Sequence, residues 1–146
     1  MDWKLEVVLV PVADVDRAKE FYAGRLGFPV DVDHEAGETF RIVQVTPPGS
    51  GCSIVFGRGV GSDAQPGSVK GNQFVVSDIE AAHAHLESNG ITNGGIVHFE
   101  GGGMVPGLDP ARQKFGSFIF FDDPDGNTWA VQEGQRGSRP GRTAPA

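Results

Sequence analysis

Cysteine is nearly absent from the sequence: Cys52 is the only one in 146 residues. A single cysteine excludes a disulfide within the chain, and a protein that relies on none is typical of a reducing compartment. The sequence also lacks a long apolar run, since no segment approaches the ~20 residues of a membrane-spanning helix. Its start, MDWKLEVV, lacks the cationic and apolar regions of a signal peptide. We therefore expect a cytoplasmic protein with no membrane partner.

Basic residues are few as well. The chain has 12 lysines and arginines against 19 aspartates and glutamates, so its formal net charge is -7. Three of the arginines lie in the tail 134–146, which has no acidic residue and few apolar ones, so we expect the tail to be disordered. The remaining chain has 12 - 3 = 9 basic residues and 19 acidic ones, a net charge of -10. Because nucleic acid is bound by basic surfaces, we expect no nucleic-acid partner.

Sequence motifs of nucleophilic and metal-assisted hydrolysis are also missing, since the chain contains neither G-x-S-x-G nor H-E-x-x-H. Of its four histidines, His83 and His85 lie two residues apart on a predicted helix and therefore point in different directions. His34 lies beside an acidic residue at the end of a short predicted strand. His98, at the start of a long loop, is the only histidine that we consider for a functional role.

The first half of the chain predicts one strand, one helix and three more strands. The apolar segment LEVVLVPV predicts the first strand, and Asp14 after it is a typical helix N-cap residue. Apolar residues then recur at helical spacing from Val15 to Leu26, and Gly27 is a typical residue for a helix C-terminus. The three strands that follow are predicted at residues 29–33, 40–46 and 52–56.

The second half repeats this order. The segment NQFVVSDIEAAHAHLESNGI again contains a strand, an aspartate cap, a helix and a glycine. The separation between Asp14 and Asp78 nearly equals that between Gly27 and Gly90. Further strands are predicted at residues 96–100, 117–121 and 128–132. Two copies at so long a period indicate a duplicated half-domain rather than a repeat array.

This duplication predicts an α+β fold. We expect a single domain, residues 1–133, of two tandem βαβββ modules at about 4–56 and 71–133, joined by the linker 57–70. Each module has one helix to cover one face of a four-stranded sheet, which leaves the other face open. We predict that the two sheets form an incompletely closed eight-stranded cup with the helices outside. Clefts between related halves commonly bind small molecules.

Three segments carry a family resemblance: VVLVPVADVDRAKEFYAGRLGF, VVSDIEAAHAHLESNGI and FFDDPDGNTWAVQE. Together, in this order and spacing, they resemble the vicinal oxygen chelate superfamily of glyoxalases, extradiol dioxygenases and bleomycin-resistance proteins. The resemblance covers about residues 5–133 and implies paired βαβββ modules that form a U-shaped cup.

The resemblance also locates four positions where metal-dependent members have a His, Gln or Glu ligand. In this chain they correspond to Val7, Val55, Gly71 and Ala130. None of these side chains has a donor atom for a divalent cation. We therefore expect neither a bound metal nor another cofactor, and the family's metal-based activities are not implied for this chain.

Neighbouring polar residues predict a different kind of site. Because side chains alternate along a strand, Gln73 shares the face of Gly71, and Gln132 shares that of Ala130. Two neutral amides suit an organic ligand better than a metal. Trp129 and Glu133 fall on the opposite face, and we expect Trp129 to pack beneath a helix.

A loop of about 14 residues before residue 117 is long enough to cover a site. It contains Met104, an adaptable apolar contact, and Arg112, which could bind a carboxylate or phosphate. His98 precedes it, either touching a ligand or making a structural hydrogen bond. The candidate ligand-binding residues are Val7, Val55, Gln73, His98, Met104, Arg112, Ala130 and Gln132.

Three classes of function remain. The favoured one is a metal-independent protein that binds and sequesters an apolar or aromatic compound, and family analogy adds a homodimer. The alternative is an enzyme, either a metal-free isomerase or lyase that uses His98 as its acid–base group, or a glyoxalase- or dioxygenase-like activity if the strand register is wrong. A structural module is disfavoured because it has no use for a cup and a long loop.

Overall fold

A computed structural model describes residues 1–134, so the predicted tail lies outside the described residues except for Gly134. The chain forms two compact units. Unit 1 contains Met1–Lys70 and Asp123–Asn127, and unit 2 contains Gly71–Asp122 and, in the described part, residues 128–134. Within residues 1–134, no helix is both long and apolar enough to cross a membrane.

Unit 1 contains a four-stranded sheet and a helix. The strands are β1 (Val7–Leu9), β2 (Val30–Ala36), β3 (Phe40–Val45) and β4 (Ser53–Arg58), and their order in the sheet is β1-β4-β3-β2. Strand β1 is parallel to β4, and the other neighbours are antiparallel. This is the strand order expected when a helix connects the first strand to a three-stranded meander.

The helix of unit 1, α1 (Val15–Lys19), begins at the predicted cap. The side chain of Asp14 accepts a hydrogen bond from the backbone N–H of Arg17 at 3.1 Å, which satisfies one of the free N–H groups of the first turn. The helix then continues as a π-helix over Glu20–Arg25, which the apolar spacing did not predict. Tyr22 is fully buried there, and its ring lies 5.4 Å from that of Phe56 on β4.

Unit 2 repeats the plan with one more strand. It contains β5 (Asn72–Val76), α2 (Ile79–Ser88), β6 (Val97–Glu100), β7 (Gly103–Pro106), β8 (Ser117–Asp122) and β9 (Thr128–Glu133), and the sheet order is β5-β9-β8-β6-β7. Helix α2 is capped by Asp78, whose side chain accepts from the N–H groups of Glu80 and Ala81. It packs against β8 and β9, with Ile79 and Leu86 buried.

The extra strand β7 corrects the prediction of an unbroken loop before residue 117. Gly101 and Gly102 both have positive φ, of 62° and 85°, and so join β6 to β7 in a two-residue hairpin. Such a turn needs two residues that tolerate positive φ, and a glycine pair meets that need. The described residues thus contain nine strands instead of the eight predicted, with four in the sheet of unit 1 and five in that of unit 2. The α+β class is confirmed: the two sheets are mixed, and neither of the two closes into a barrel.

Candidate functional site

Each sheet has two distinct faces. In unit 2, the face toward α2 contains buried side chains, among them Ile119 and Trp129, and Trp129 stacks on Phe74 with ring centroids 4.4 Å apart, as the alternation predicts. We call the opposite face of this sheet the open face of unit 2. By strand register it presents Gln73, Val75, Val97, Phe99, Met104, Pro106, Phe118, Phe120, Ala130 and Gln132.

The open face of unit 2 combines aromatic rings with two amides. Gln73 lies opposite Ala130, which lies opposite Phe120, and in the next row Val75, Gln132 and Phe118 are aligned in the same way. The rings of Phe118 and Phe120 are nearly parallel, 4° apart, with centroids at 6.0 Å. Val75, Phe99, Met104 and Phe120 are all between 42 and 62 % exposed, so the face is an apolar surface that solvent reaches.

Four of the candidate residues come together on this face: Gln73, Met104, Ala130 and Gln132. Phe99, Phe118 and Phe120 belong to it but were not among the candidates. Their signal was present in the sequence, because alternation along SFIFFD places Phe118 and Phe120 on the face opposite Ile119 and Phe121.

His98 does not belong to this group. It lies next to Phe99 on β6 and therefore points to the other face of the sheet, where it is 7 % exposed. Its Nδ1 is 2.8 Å from the carbonyl oxygen of Gly107, and its Nε2 is 2.9 Å from Oε2 of Glu100. The Gly107 carbonyl, followed by the Glu100 carboxylate, favours the protonated ring and raises the pKa of His98. Both ring nitrogens are thus engaged within the chain.

Arg112 also has a partner within its own chain. Its Nε and Nη2 donate to the two carboxylate oxygens of Glu133 at 2.8 and 2.6 Å. Glu133 is 1 % exposed and also accepts from the N–H of Ile79 at the start of α2. The Glu133 carboxylate raises the pKa of Arg112 above its ordinary value. Arg112 binds a carboxylate, as its chemistry suggested, but that carboxylate is a buried one of unit 2.

In unit 1, the face of the sheet opposite α1 is called the open face of unit 1. Val7 lies opposite Ser53, and Leu9 opposite Val55, so both candidate valines belong to this face. Val55 is 4 % exposed. Neither valine can donate an electron pair to a metal, and Gly71 and Ala130 in unit 2 cannot either. Among residues 1–134, no group of three His, Cys, Asp or Glu side chains is placed to hold a metal ion. The residues at these positions do not fit a metal.

The open face of unit 1 also carries a hydrogen-bonded chain that sequence reasoning missed. Thr46 Oγ1 donates to Asp31 Oδ2, and the hydroxyls of Thr46 and Ser53 are 2.6 Å apart. Ser53 is 6 % exposed, whereas Asp31 is exposed. The three residues come from β2, the end of β3 and β4, so no local sequence pattern brings them together.

The turn DPDGN, residues 123–127, is structural. The buried carboxylate of Asp123 accepts from the Tyr22 hydroxyl at 2.7 Å and from the side-chain amide of Asn127 at 2.8 Å. Asp125 accepts from the N–H of Ala13 and from Arg17. These bonds attach the turn to the helix region of unit 1.

Comparison with known proteins gives a consistent result. A family model described as "Glyoxalase/Bleomycin resistance protein/Dioxygenase superfamily" matches residues 4–131. The uncharacterized protein YetH of Bacillus subtilis (strain 168) is 27 % identical over 133 residues, which cover 89 % of this chain and 98 % of YetH.

Two solved structures from Streptomyces sp. CB03234 are also similar. TnmS3, described as an antibiotic binding protein, has a TM-score of 0.71 and 28 % identity, with 92 % of this chain and 98 % of TnmS3 covered. A glyoxalase/bleomycin resistance protein has a TM-score of 0.67 and 29 % identity, with 88 % of this chain and 99 % of that one covered.

Proposed function

The chain belongs to the Glyoxalase/Bleomycin resistance protein/Dioxygenase superfamily, and on that premise we propose that it is a metal-independent protein that binds and sequesters an apolar or aromatic small molecule. The observation that carries the proposal is the open face of unit 2, where exposed phenylalanine rings lie beside two amide side chains. Such a surface suits a ligand with a flat apolar body and a few hydrogen-bonding groups.

The aromatic rings supply most of the expected affinity. Phe99 and Phe120 are 62 and 45 % exposed, and a ligand that covers them removes that apolar area from water. An aromatic ligand gains a further ~0.5–1.5 kcal/mol for each favourable ring pair. Gln73 and Gln132 lie diagonally on neighbouring strands, so one polar edge of a ligand can reach both amides.

Metal independence rests on the donor set. Val7, Val55, Gly71 and Ala130 stand where the resemblance locates ligands, and the two glutamines nearby are neutral amides without an imidazole or carboxylate beside them. A metal site at these positions would need at least two new donor side chains. The proposed binding mode therefore uses contacts with the ligand itself.

The relatives support a binding function. TnmS3 is described as an antibiotic binding protein, and 92 % of this chain aligns with it at 28 % identity. An antibiotic or another aromatic natural product is therefore the first class of ligand to test. We further propose that the protein is cytoplasmic, in keeping with its one free cysteine, and that it forms a homodimer.

A second candidate function is a metal-free isomerase or lyase that uses His98. The observation in its favour is the hydrogen bond between His98 Nε2 and Glu100, since a carboxylate partner orients a histidine for proton transfer. Against it, the other ring nitrogen is bonded to Gly107, and His98 points away from the face that bears Gln73. Binding is therefore the better supported function.

A thermal-shift screen with aromatic natural products, thiols and divalent metals tests the proposal. A ligand present at 100 times its Kd stabilises the folded chain by about 2.7 kcal/mol. Phe120→Ala is the diagnostic variant, and Phe28→Ala, at a phenylalanine that lies in no strand, is its matched control. Chromatography after long incubation should recover unchanged ligand. Recovery of a converted compound, at a rate that collapses in His98→Gln, would establish the enzyme instead.

A further inference from the structure

On the open face of unit 1, hydrogen bonds connect Ser53 to Thr46 and Thr46 to Asp31, and the donor and the acceptor of each bond can be assigned. Thr46 Oγ1 donates to Oδ2 of Asp31, so the hydroxyl proton of Thr46 points toward Asp31. Thr46 then has no proton left for its second bond, and the hydroxyl of Ser53 must donate to Thr46 across their 2.6 Å contact. Ser53 has therefore used its own proton and presents only oxygen lone pairs.

The surroundings of Ser53 make this acceptor selective. Ser53 is 6 % exposed; Val7 and Val55 are its apolar neighbours on this face, and Thr46 is its polar neighbour. A ligand group that covers it must donate a hydrogen bond, because a second acceptor would leave two sets of lone pairs facing each other without water.

Charge adds a preference for cations. Asp31 polarises both hydroxyls, and linked hydrogen bonds strengthen one another. The two arginines of these strands lie on the other face, where Arg41 binds Asp16 and Asp33, and Arg58 binds Glu35. On the open face Gln44, opposite Val55, offers a neutral amide.

We propose that Ser53, oriented by Thr46 and Asp31, forms a subsite for the hydrogen-bond donor of a small organic ligand, with a protonated amine preferred over a hydroxyl and a carboxylate rejected. The inference rests on the proposed function, because this selectivity matters only if the chain binds small molecules. It involves residues of unit 1 alone.

Three probes with one aromatic body test the subsite: naphthylmethylamine, naphthylmethanol and naphthoate. Each is titrated into the isotope-labelled full chain near neutral pH, and affinities are taken from backbone amide shifts around Ser53. We expect the amine to bind at least about 10-fold more tightly than naphthoate, with the alcohol between them, because hydrogen bonds that involve a charged group are about twice as strong as neutral ones.

Variants then test Ser53, Thr46 and Asp31 one at a time. Ser53→Ala should bring the amine and naphthoate within about 3-fold of each other by weakening the amine. Thr46→Val should reduce the difference in affinity between the amine and naphthoate, here called the gap, by strengthening naphthoate binding. In this variant Ser53 regains a free proton and can donate it to naphthoate. Asp31→Asn, at an exposed position, should also narrow the gap and serves if the buried variants fail to fold. Ser68→Ala, at an exposed serine, and His34→Gln, on the same face, should leave the gap unchanged.

The outcomes distinguish this inference from the proposed function. If naphthoate binds as tightly as the amine to the unchanged chain, or if the gap survives both Ser53→Ala and Thr46→Val, the subsite is wrong while small-molecule binding stands. If none of the three probes binds and the aromatic screen also yields no ligand, the proposed function itself fails. A gap that is present in the unchanged chain and closes in these variants supports the subsite.

Discussion

Arg112 donates two hydrogen bonds to Glu133, from Nε to Oε1 at 2.8 Å and from Nη2 to Oε2 at 2.6 Å. This pair links the loop before β8 to the last strand, and Glu133 continues the connection to the N-terminus of α2 through the N–H of Ile79. The side chain with the best chemistry for binding a ligand carboxylate is therefore engaged in holding unit 2 together.

The first prediction follows from that pair. Arg112→Met leaves the carboxylate of Glu133 buried without its cation, so we expect the free energy of unfolding to fall by clearly more than in the control variant below. Urea unfolding measures the change. Arg58→Met, which removes an exposed pair with Glu35, is the matched control and should cost at most about 1 kcal/mol. Equal losses in the two variants would contradict a structural role for Arg112.

The second prediction concerns the pH dependence of His98. The pKa of His98 is raised in the folded state, so protonated His98 stabilises the fold. This contribution to the free energy of unfolding is fully present below the ordinary histidine pKa, and it is lost as the pH rises through the raised pKa of the folded state. The difference in unfolding free energy between the unchanged chain and His98→Gln should therefore be larger at about pH 6 than at about pH 9. Urea unfolding at several pH values tests it. In Glu100→Gln the pH dependence should weaken, and an opposite slope would refute the assignment.

The third prediction concerns Gln73 on the open face of unit 2. Once a ligand is identified, Gln73→Leu should weaken binding by about 1–3 kcal/mol, because a polar group of the ligand loses its partner. Isothermal titration calorimetry measures the loss. Gln113→Leu, an exposed glutamine in the loop before β8, is the control and should bind normally. Unchanged affinity in Gln73→Leu would exclude this amide from the site.

The fourth prediction is that the purified protein contains no stoichiometric transition metal, since Val7, Val55, Gly71 and Ala130 offer no donors. Elemental analysis should find well under one zinc, nickel, manganese or iron per chain, and a chelator should leave the melting temperature unchanged. One metal per chain together with destabilisation by the chelator would overturn metal independence.

The fifth prediction is a homodimer. Light scattering at micromolar concentration should give twice the chain mass of 15.4 kDa. A stable two-fold dimer of this kind is expected to bury about 2,000 Å² or more. Phe99→Glu, at a ring that is 62 % exposed, tests whether the open face of unit 2 takes part. The mass of a single chain, measured for the unchanged protein, would rule the dimer out.

Much of the fold could be predicted from local signals. Asp14 and Asp78 cap the two helices through bonds to N–H groups two or three residues away, so a short segment suffices to locate each helix start. The prediction of one long loop missed the β6–β7 hairpin, although the pair Gly101 and Gly102 is a hairpin signal. The π-helix after α1 had no such signal.

For the candidate site, too, local signals predicted some features, whereas contacts between distant residues were not predicted. Alternation along single strands was enough to put Gln73 with Val75, and Ala130 with Gln132, on one face, because successive side chains of a strand point to opposite sides. The same rule would have added Phe118 and Phe120. What the rule cannot supply is the partner of each side chain on the buried side.

The sequence by itself determined the strand–helix–strand order of the two halves, the caps of their helices and the shared face of residues such as Gln73 and Val75, since these depend on neighbours within a few positions. Only the tertiary structure decided that Arg112 binds Glu133, that Asp123 binds Tyr22 across 101 residues, and that Asp31, Thr46 and Ser53 form one chain. Partners on different elements meet only after those elements have packed together, and no pattern within a single segment of the sequence specifies which side chains will pair.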